Sequence, residues 1–294
     1  MKIAIASGKG GTGKTTIATN LTWSLSRQGH TVQLLDCDVE EPNCHIFLKP
    51  SIDASKTASV PVPKVNADQC TGCGKCGDVC QYSAIVCMKG KVLVFPELCH
   101  GCGSCMHFCP ENAISEEPRE VGVVETGQAQ GFRFAHGKLR IGEVMAPPLI
   151  KAVKQAAGQA DVTIIDAPPG TSCPVIEAVR DCDFVILAAE PTPFGLNDLK
   201  LAVEMVRVLN VPFAVAINRC DIGDDAVTDY CTSENIDIIL QIPHDRRIAE
   251  AYSRGELIGQ CLDEFALAFT DLGTHLLDQQ QLAESATAQK ENRP

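Results

Sequence analysis

The sequence predicts a doubly wound α/β domain with a mostly parallel sheet, interrupted by a small inserted α+β domain. Short apolar runs alternate with helical stretches along most of the chain, as strands and helices do in a doubly wound sheet. A Gly-rich turn separates the first apolar run from the first helical stretch, as in a βαβ unit. A segment dense in cysteine and bounded by prolines interrupts the alternation.

The first βαβ unit lies at the amino terminus. Residues 2–7 predict a buried strand, and a helix follows with Ile17, Leu21 and Leu25 on one face until Gly29 ends it. Residues 31–36 predict the next strand. The later predicted strands are 162–165, 184–188, 213–217 and 236–240, with predicted helices at 196–209 and 224–234 among them.

Residues 61–118 are predicted to be the inserted domain. The sequence VPVP opens the segment and EEP closes it, and Cys and Gly dominate between them. Within it, CTGCGKCGDVCQYSAI returns 29 residues later as CHGCGSCMHFCPENAI, which indicates an internal duplication. The α/β domain is therefore predicted in two parts, 1–60 and 119–275, followed by a polar tail at 276–294.

The charge balance excludes several classes of partner. The 294 residues include 25 Lys and Arg against 37 Asp and Glu, a formal net charge of −12, with no basic run. We therefore expect neither nucleic acid nor an anionic membrane surface as a partner. No apolar run approaches the ~18 residues of a membrane span and no signal peptide precedes the first strand, so a cytoplasmic protein is expected.

The Gly-rich turn at residues 8–15 matches the phosphate-binding pattern G-x4-G-K-S/T, with the strand before it and the helix after it that the pattern requires. Glycines let backbone N–H groups turn toward phosphate oxygens at a helix amino terminus, where the dipole favours anions. Lys14 is expected to reach the β- and γ-phosphates of ATP, and the Thr15 hydroxyl to bind Mg²⁺. A Gly-rich turn without a ligand is the alternative. The predicted nucleotide-binding residues are Gly8, Gly10, Gly11, Thr12, Gly13, Lys14, Thr15 and Thr16.

Lys9 adds a second lysine to this turn. In the wording KGGTGKTT it closely resembles the deviant P-loop (deviant Walker A) of the MinD/ParA ATPases, the group that also holds the nitrogenase iron protein and the Mrp-type cluster carriers. In that family this lysine crosses a dimer interface to the partner's nucleotide. The resemblance therefore implies an ATP-dependent homodimer and a catalytic role for Lys9. A solvated surface lysine is the alternative.

Further residues match the same family. The resemblance makes Asp38 the residue that orients the attacking water, Asp36 a support of the Mg²⁺ shell, and Asp166 the Walker B carboxylate. Asn218 matches the asparagine that reads the adenine. Phosphoryl transfer chiefly needs placement and charge neutralisation, so each carboxylate is physically sensible. The alternatives are helix caps for the aspartates and a turn residue for Asn218.

The cysteine spacing in the insert is that of metal ligands rather than of disulfides. Each repeat has the spacing C-x2-C-x2-C-x3-C, and the insert resembles the bacterial ferredoxins with two 4Fe–4S clusters, in which the fourth cysteine of each run ligates the other cluster. Structural zinc is the alternative. Gln81 departs from the pattern, because proline is expected after Cys80. The resemblance implies one cluster on Cys70, Cys73, Cys76 and Cys109, and a second on Cys99, Cys102, Cys105 and Cys80.

Three residues near these motifs have ordinary alternatives. His100 and His107 flank the second cysteine run and are interpreted as bystanders rather than ligands or proton relays, because eight thiolates already account for two clusters. Cys173 follows the loop at 165–170 and is either a nucleotide-sensitive thiol or, as favoured, a packing cysteine. The other cysteines outside the two runs contain no further C-x2-C pair, and most are expected to be small buried residues.

The two halves of the sequence together imply a MinD-like ATPase that hydrolyses ATP with Mg²⁺ and gates electron transfer through two clusters. Residues 64–117 contain four lysines and six acids, so a basic redox partner is expected. One alternative is an iron–sulfur cluster carrier, although carriers hold their cluster on a C-x2-C near the carboxyl end, where this chain has none. The other alternative is a regulatory ATPase whose clusters sense redox state.

Overall fold

The computed structural model describes the backbone of residues 1–291 and the side chains of residues 1–279. The strands are β1 (Lys2–Ala6), β2 (Val32–Asp36), β3 (Ser51–Val65), β4 (Ile85–Met88), β5 (Lys91–Val94), β6 (Ile114–Ala129), β7 (Phe132–Leu139), β8 (Val162–Asp166), β9 (Phe184–Ala189), β10 (Phe213–Asn218) and β11 (Ile238–Ile242). The α-helices are α1 (Lys14–Arg27), α2 (Cys44–Leu48), α3 (Lys75–Asp78), α4 (Ser104–His107), α5 (Pro147–Gln155), α6 (Cys173–Val179), α7 (Pro193–Val208), α8 (Ala226–Ser233), α9 (Arg246–Ser253), α10 (Ile258–Cys261) and α11 (Asp263–Glu291).

The main sheet has nine strands in the order β11, β10, β9, β1, β8, β2, β7, β6, β3. The strands from β11 to β7 are parallel to their neighbours. β6 and β3 extend this sheet as antiparallel strands at the edge beside β7. The prediction of a mostly parallel α/β sheet is confirmed.

Apolar side chains from β1 face both sides of the sheet. Ile3 and Ile5 join a core with α1 and α11, while Ala4 and Ala6 join a core with α5, α6 and α7. All four side chains are fully buried, as expected for a parallel strand covered by helices on both faces. Because neighbouring parallel strands end at the same edge, the loops after β1, β2, β8 and β10 meet there.

The edge of the sheet is a long antiparallel arm, formed by β3 and β6, that the sequence analysis did not predict. Pairing runs from Ser51 opposite Gln128 to Val65 opposite Ile114. Most side chains in β3 are exposed, so this strand lacks the apolar run that marks a buried one. The arm also contains three prolines, which edge strands tolerate because proline has no N–H to donate. The predicted insert bounds, 61 and 118, lie opposite each other inside these two strands.

Residues 66–113 form a small unit at the tip of the arm. It contains a separate two-stranded sheet, β4 with β5, and the one-turn helices α3 and α4. These helices begin after Gly74 and Gly103, at matching positions of the two repeats, with φ angles of 84° and 71°. Such angles favour glycine, because a side chain is strained there. Cys76 and Ile85 of this unit form a small core with Ile114 of β6.

Two predicted elements near the carboxyl end differ from the structure. β11 begins two residues later than the predicted strand at 236–240, because Asn235 takes a φ of 53° and the Ile236 N–H donates to the Cys231 carbonyl, which ends α8. Helix α11 continues to Glu291, so much of the predicted tail at 276–294 is helical, and residues 292–294 lie outside the described residues. Among the described helices, none is long and apolar enough to cross a membrane.

Candidate nucleotide site and cysteine cavities

The Gly-rich turn wraps tightly between β1 and α1. Gly13 stands before the helix with a φ of 94°, and an added Cβ there would lie 2.6 Å from Asn218 Nδ2. The same Asn218 amide donates to the Thr12 carbonyl at 3.1 Å. At Gly8 an added Cβ would lie 2.1 Å from the Asp198 carbonyl oxygen. Glycine is therefore required at both positions, and Asn218 is held against the loop.

A cavity of about 460 Å³ opens beside this loop, at the carboxyl ends of the parallel strands. Its volume lies in the ordinary range of small-molecule sites. The loop after β11 and helix α9 supply a wall that no motif had indicated, including His244, Asp245 and Tyr252. Among the predicted site residues, the cavity is lined by Gly10, Gly11, Gly13, Lys14, Thr15, Thr16, Asp38 and Asn218.

Asp36 and Asp166 lie side by side below this cavity, because they are register partners at the ends of β2 and β8. Both side chains are buried. The Thr15 hydroxyl donates to Asp166 Oδ2 at 2.7 Å, while Asp166 Oδ1 has no hydrogen-bond partner. A buried carboxylate oxygen without a partner, next to a threonine hydroxyl, suits a hard divalent cation such as Mg²⁺.

Burial dominates the electrostatics of this corner. It raises the pKa of Asp36 and of Asp166, and the carboxylate of Asp166 raises that of Asp36 further. Burial, and to a smaller extent the carboxylate of Asp166, raises the pKa of Asp38 to about 6. Burial lowers the pKa of Lys14, against the opposite effect of Asp166 and Asp38. Asp38 and Asp166 thus share one nearby lysine, and Asp36 adds a third carboxyl group, an arrangement that a bound cation would stabilise.

The two cysteine runs line two separate cavities at the tip of the arm. Each cavity takes three cysteines from one repeat and the fourth from the other. The first is lined by Cys70, Cys73, Cys76 and Cys109, and the second by Cys99, Cys102, Cys105 and Cys80. Among the described residues, no three cysteine sulfurs lie within 4.8 Å of one another. Sulfurs around a tetrahedral zinc ion would be ~3.8 Å apart, given a Zn–S distance of ~2.3 Å.

Of the three residues that had ordinary alternatives, His100, His107 and Cys173, only His100 lines the second cysteine cavity. The ring of His100 stacks on Tyr82 with centroids 3.6 Å apart, whereas His107 meets Phe108 edge-on. Cys173 is exposed, at the start of α6. A groove of about 1310 Å³ runs between the arm and helices α5 and α6, and both His100 and Cys173 line it. The exposure of Cys173 does not fit a packing cysteine.

Comparison with known proteins identifies the family. Residues 3–258 match the model of the CobQ/CobB/MinD/ParA nucleotide binding domain. The chain belongs to this family. The solved structure of the septum site-determining protein MinD with Mg-ADP from Pyrococcus horikoshii has a TM-score of 0.58, with 21% identity over 94% of this chain and 95% of that one. The fold is therefore that of the MinD-like ATPases.

Two sequence relatives illustrate the range of this family. An uncharacterized protein of Methanocaldococcus jannaschii is 38% identical over 74% of this chain and 78% of its own length. A protein of Pyrococcus horikoshii named iron–sulfur cluster carrier protein is 26% identical over 86% of this chain and 77% of its own length.

Lys9 and Cys44 occupy positions in this ATPase that the sequence did not reveal. Lys9 Nζ lies 3.4 Å from Glu190 Oε2, and the other oxygen of Glu190 lies 3.2 Å from Arg219. The Cys44 thiol donates to Asp166 Oδ2 at 3.2 Å, and the Cys44 N–H donates to Asp36 Oδ2 at 3.0 Å. The contacts of Lys9 with Glu190 and of Cys44 with Asp166 had no local signal, because in each case the two partners belong to different strand ends.

Proposed function

We propose that this MinD/ParA-type ATPase is an ATP-hydrolysing iron–sulfur protein that dimerises around ATP and gates electron transfer through two 4Fe–4S clusters. The observation that carries the proposal is the pair of cysteine cavities, each built from both repeats. A cubane is larger than a single metal ion, and in the described residues no three of these sulfurs lie within the 4.8 Å that a compact single-ion site would need. The fourth cysteine of each run lines the cavity of the other run, which supports cross-ligation of the two clusters.

The nucleotide site supports ATP hydrolysis. Lys14 and the glycine amides would hold the phosphates, and Asn218 would contact the base. Thr15 and Asp36 would hold Mg²⁺, with Asp166 beside them, and this ion would neutralise phosphate charge. Asp38 lines the cavity, where it would orient the water that attacks the terminal phosphate.

A continuous set of contacts supports coupling between the nucleotide and the clusters. His136 in β7 is the register partner of Asp36. Its Nε2 lies 2.8 Å from Glu125 Oε2 in β6, the strand that continues into the tip unit. A nucleotide-driven shift at Asp36 would therefore reach the arm through packed, hydrogen-bonded groups.

Metal analysis of anaerobically purified protein tests the cluster assignment. We expect about eight iron atoms and eight acid-labile sulfides per chain, as two cubanes require. Cys80→Ser should damage the cluster held by Cys99, Cys102 and Cys105. Cys87→Ser is the matched control, because Cys87 lies in the same unit and lines neither cavity. Zinc in place of iron, or damage confined to the first cluster in Cys80→Ser, would contradict the proposal.

Redox titrations followed by electron paramagnetic resonance test the gating. They are run without nucleotide, with ADP and with a non-hydrolysable ATP analogue. Coupling free energies of about 1–3 kcal/mol correspond to roughly 40–130 mV for a one-electron couple. Reduction of the clusters should then change ATP affinity by a matching factor, about 5- to 150-fold. Potentials agreeing within about 20 mV, with unchanged ATP affinity, would exclude gating at equilibrium.

Cluster delivery is the second candidate function, because relatives at about 25% identity are named iron–sulfur cluster carrier proteins. The two functions differ in what happens to the iron. A carrier would lose iron to an apo-acceptor protein on incubation with ATP, whereas an electron carrier would keep its iron while its clusters are oxidised and reduced.

A further inference from the structure

Three side chains below the nucleotide cavity bring metal-binding atoms together. The Cys44 sulfur and one carboxylate oxygen each from Asp36 and Asp166 all lie within 4.8 Å of one another. Cys44 and Asp36 are fully buried, and Asp166 is 1% exposed. Among the described residues this is the only such trio of acidic, cysteine or histidine ligand atoms.

A second observation points to a ligand in this corner. Asp166 Oδ1 is buried and has no hydrogen-bond partner, although the other oxygen accepts from both Thr15 and Cys44. A buried carboxylate oxygen that is left unpaired costs free energy unless it meets a donor or a cation. The trio is one side chain away from the nucleotide cavity, because Thr15 lines that cavity.

Cys44 does not behave as a simple packing residue. Both its thiol and its N–H contact the two carboxylates, at 3.2 and 3.0 Å. Cys231 is the comparison, because it is equally buried but lies in the apolar core with Val227 and Ile236. The thiol of Cys44 is therefore held against acidic oxygens, where a metal ion can replace its proton.

We propose that Asp36, Cys44 and Asp166 form a site for a thiophilic divalent cation such as Zn²⁺ or Fe²⁺. One thiolate with two carboxylates favours these ions over Mg²⁺, which prefers oxygen ligands alone. On binding, the cation takes the place of the thiol proton, which is released to solvent. The bound ion joins helix α2 to the end of β8. If the proposed ATPase function holds, it blocks hydrolysis by occupying the Mg²⁺ corner.

Metal titration of the nucleotide-free full-length protein tests this site. Cd²⁺ serves as the probe, since its thiolate complexes absorb in the ultraviolet, and Zn²⁺ is titrated in parallel with excess Mg²⁺ present. The variants are Cys44→Ser, Cys44→Ala and the buried control Cys231→Ser. Two substitutions at position 44 are used so that a folding defect in one leaves the other interpretable.

The wild-type protein and Cys231→Ser should bind one more tight equivalent of Cd²⁺ than either Cys44 variant, with a matching difference in thiolate absorbance and proton release. Loss of the sulfur ligand should weaken binding by at least the roughly 10- to 100-fold that loss of an outer-shell partner costs. Equal stoichiometry and affinity in wild type and the Cys44 variants would overturn the site. Metal bound by the other cysteines cancels in this difference, so the result holds whether or not clusters assemble.

Zinc inhibition of Mg²⁺-dependent ATP hydrolysis separates this inference from the proposed function. Zn²⁺ should inhibit wild type and Cys231→Ser at concentrations at least tenfold lower than those that inhibit Cys44→Ser, each compared with its own zinc-free rate. Equal sensitivity would refute the inhibitory role. If no variant hydrolyses ATP, the proposed function fails, and the Cd²⁺ difference still decides the metal site.

Discussion

Arg119→Met should strongly destabilise the arm. Arg119 in β6 pairs with Glu143, in the loop before α5, and the exposed fractions of the two side chains are 10% and 0%. The carboxylate also accepts the N–H groups of Val144 and Met145 at 3.1 and 3.2 Å. Burial alone would raise the pKa of Glu143, but these partners lower it, so the group is ionised at neutral pH. Removal of Arg119 therefore leaves a buried charge without its counterion.

The size of the effect follows from this geometry. Breaking a buried ion pair by removing one partner costs about 3–5 kcal/mol. The two remaining N–H donors, with Arg140 at 3.9 Å, place this site at the lower end, about 3 kcal/mol. For a protein of this size, each kcal/mol shifts Tm by about 2–4 °C, so the expected decrease is about 6–12 °C.

Thermal unfolding followed by circular dichroism measures this shift. Arg207→Met is the matched control, because its pair with Glu234 is exposed by 45% and 39% and is therefore largely screened by solvent. Arg119→Met combined with Glu143→Leu should recover stability, because no charge is left buried. A Tm decrease in Arg119→Met no larger than in Arg207→Met would refute the reasoning.

Three further variants probe the nucleotide corner and its link to the arm. Glu190→Gln frees Lys9 from an ion pair that is worth up to about 1 kcal/mol. Light scattering should therefore show ATP-induced dimerisation at an ATP concentration up to about fivefold lower. Unchanged or weaker dimerisation would contradict the idea that Glu190 restrains Lys9. Lys9→Ala should abolish dimerisation and hydrolysis with iron content intact, and unchanged turnover in this variant would refute a dimer in which Lys9 reaches the partner's nucleotide. Asp38→Ala should instead trap an ATP-bound dimer, because ATP still binds while the attacking water is no longer oriented. Burial lowers the pKa of His136 despite its contact with Glu125, so the folded state binds fewer protons and stability falls as pH drops below about 6.5. His136→Gln should show a shallower loss of Tm between about pH 6.5 and 5, and an identical slope would count against this.

Local chemistry made much of this protein predictable from its sequence. A phosphate-binding turn needs glycines and a lysine at fixed spacing within a few residues, so residues 8–15 could be recognised without a structure. All the parallel strands except β7 were predicted, because burial on both faces demands continuous apolar runs. The two cysteine repeats were recognised because ligands on one tight loop have characteristic spacing.

The arm was not predictable, because β3 is largely exposed and the first half of β6 has mostly exposed polar residues, so neither begins with a buried apolar run. Their stability comes from pairing with each other and with β7, and that pairing joins residues far apart in the chain. The contacts of Cys44 were not predictable for the same reason. It lies 8 residues from Asp36 but 122 from Asp166, and only the adjacent ends of β2 and β8 bring the three together. Contacts across a sheet edge depend on strand order, which no local pattern encodes, so the tertiary structure alone decided which acidic, thiol and cationic groups meet.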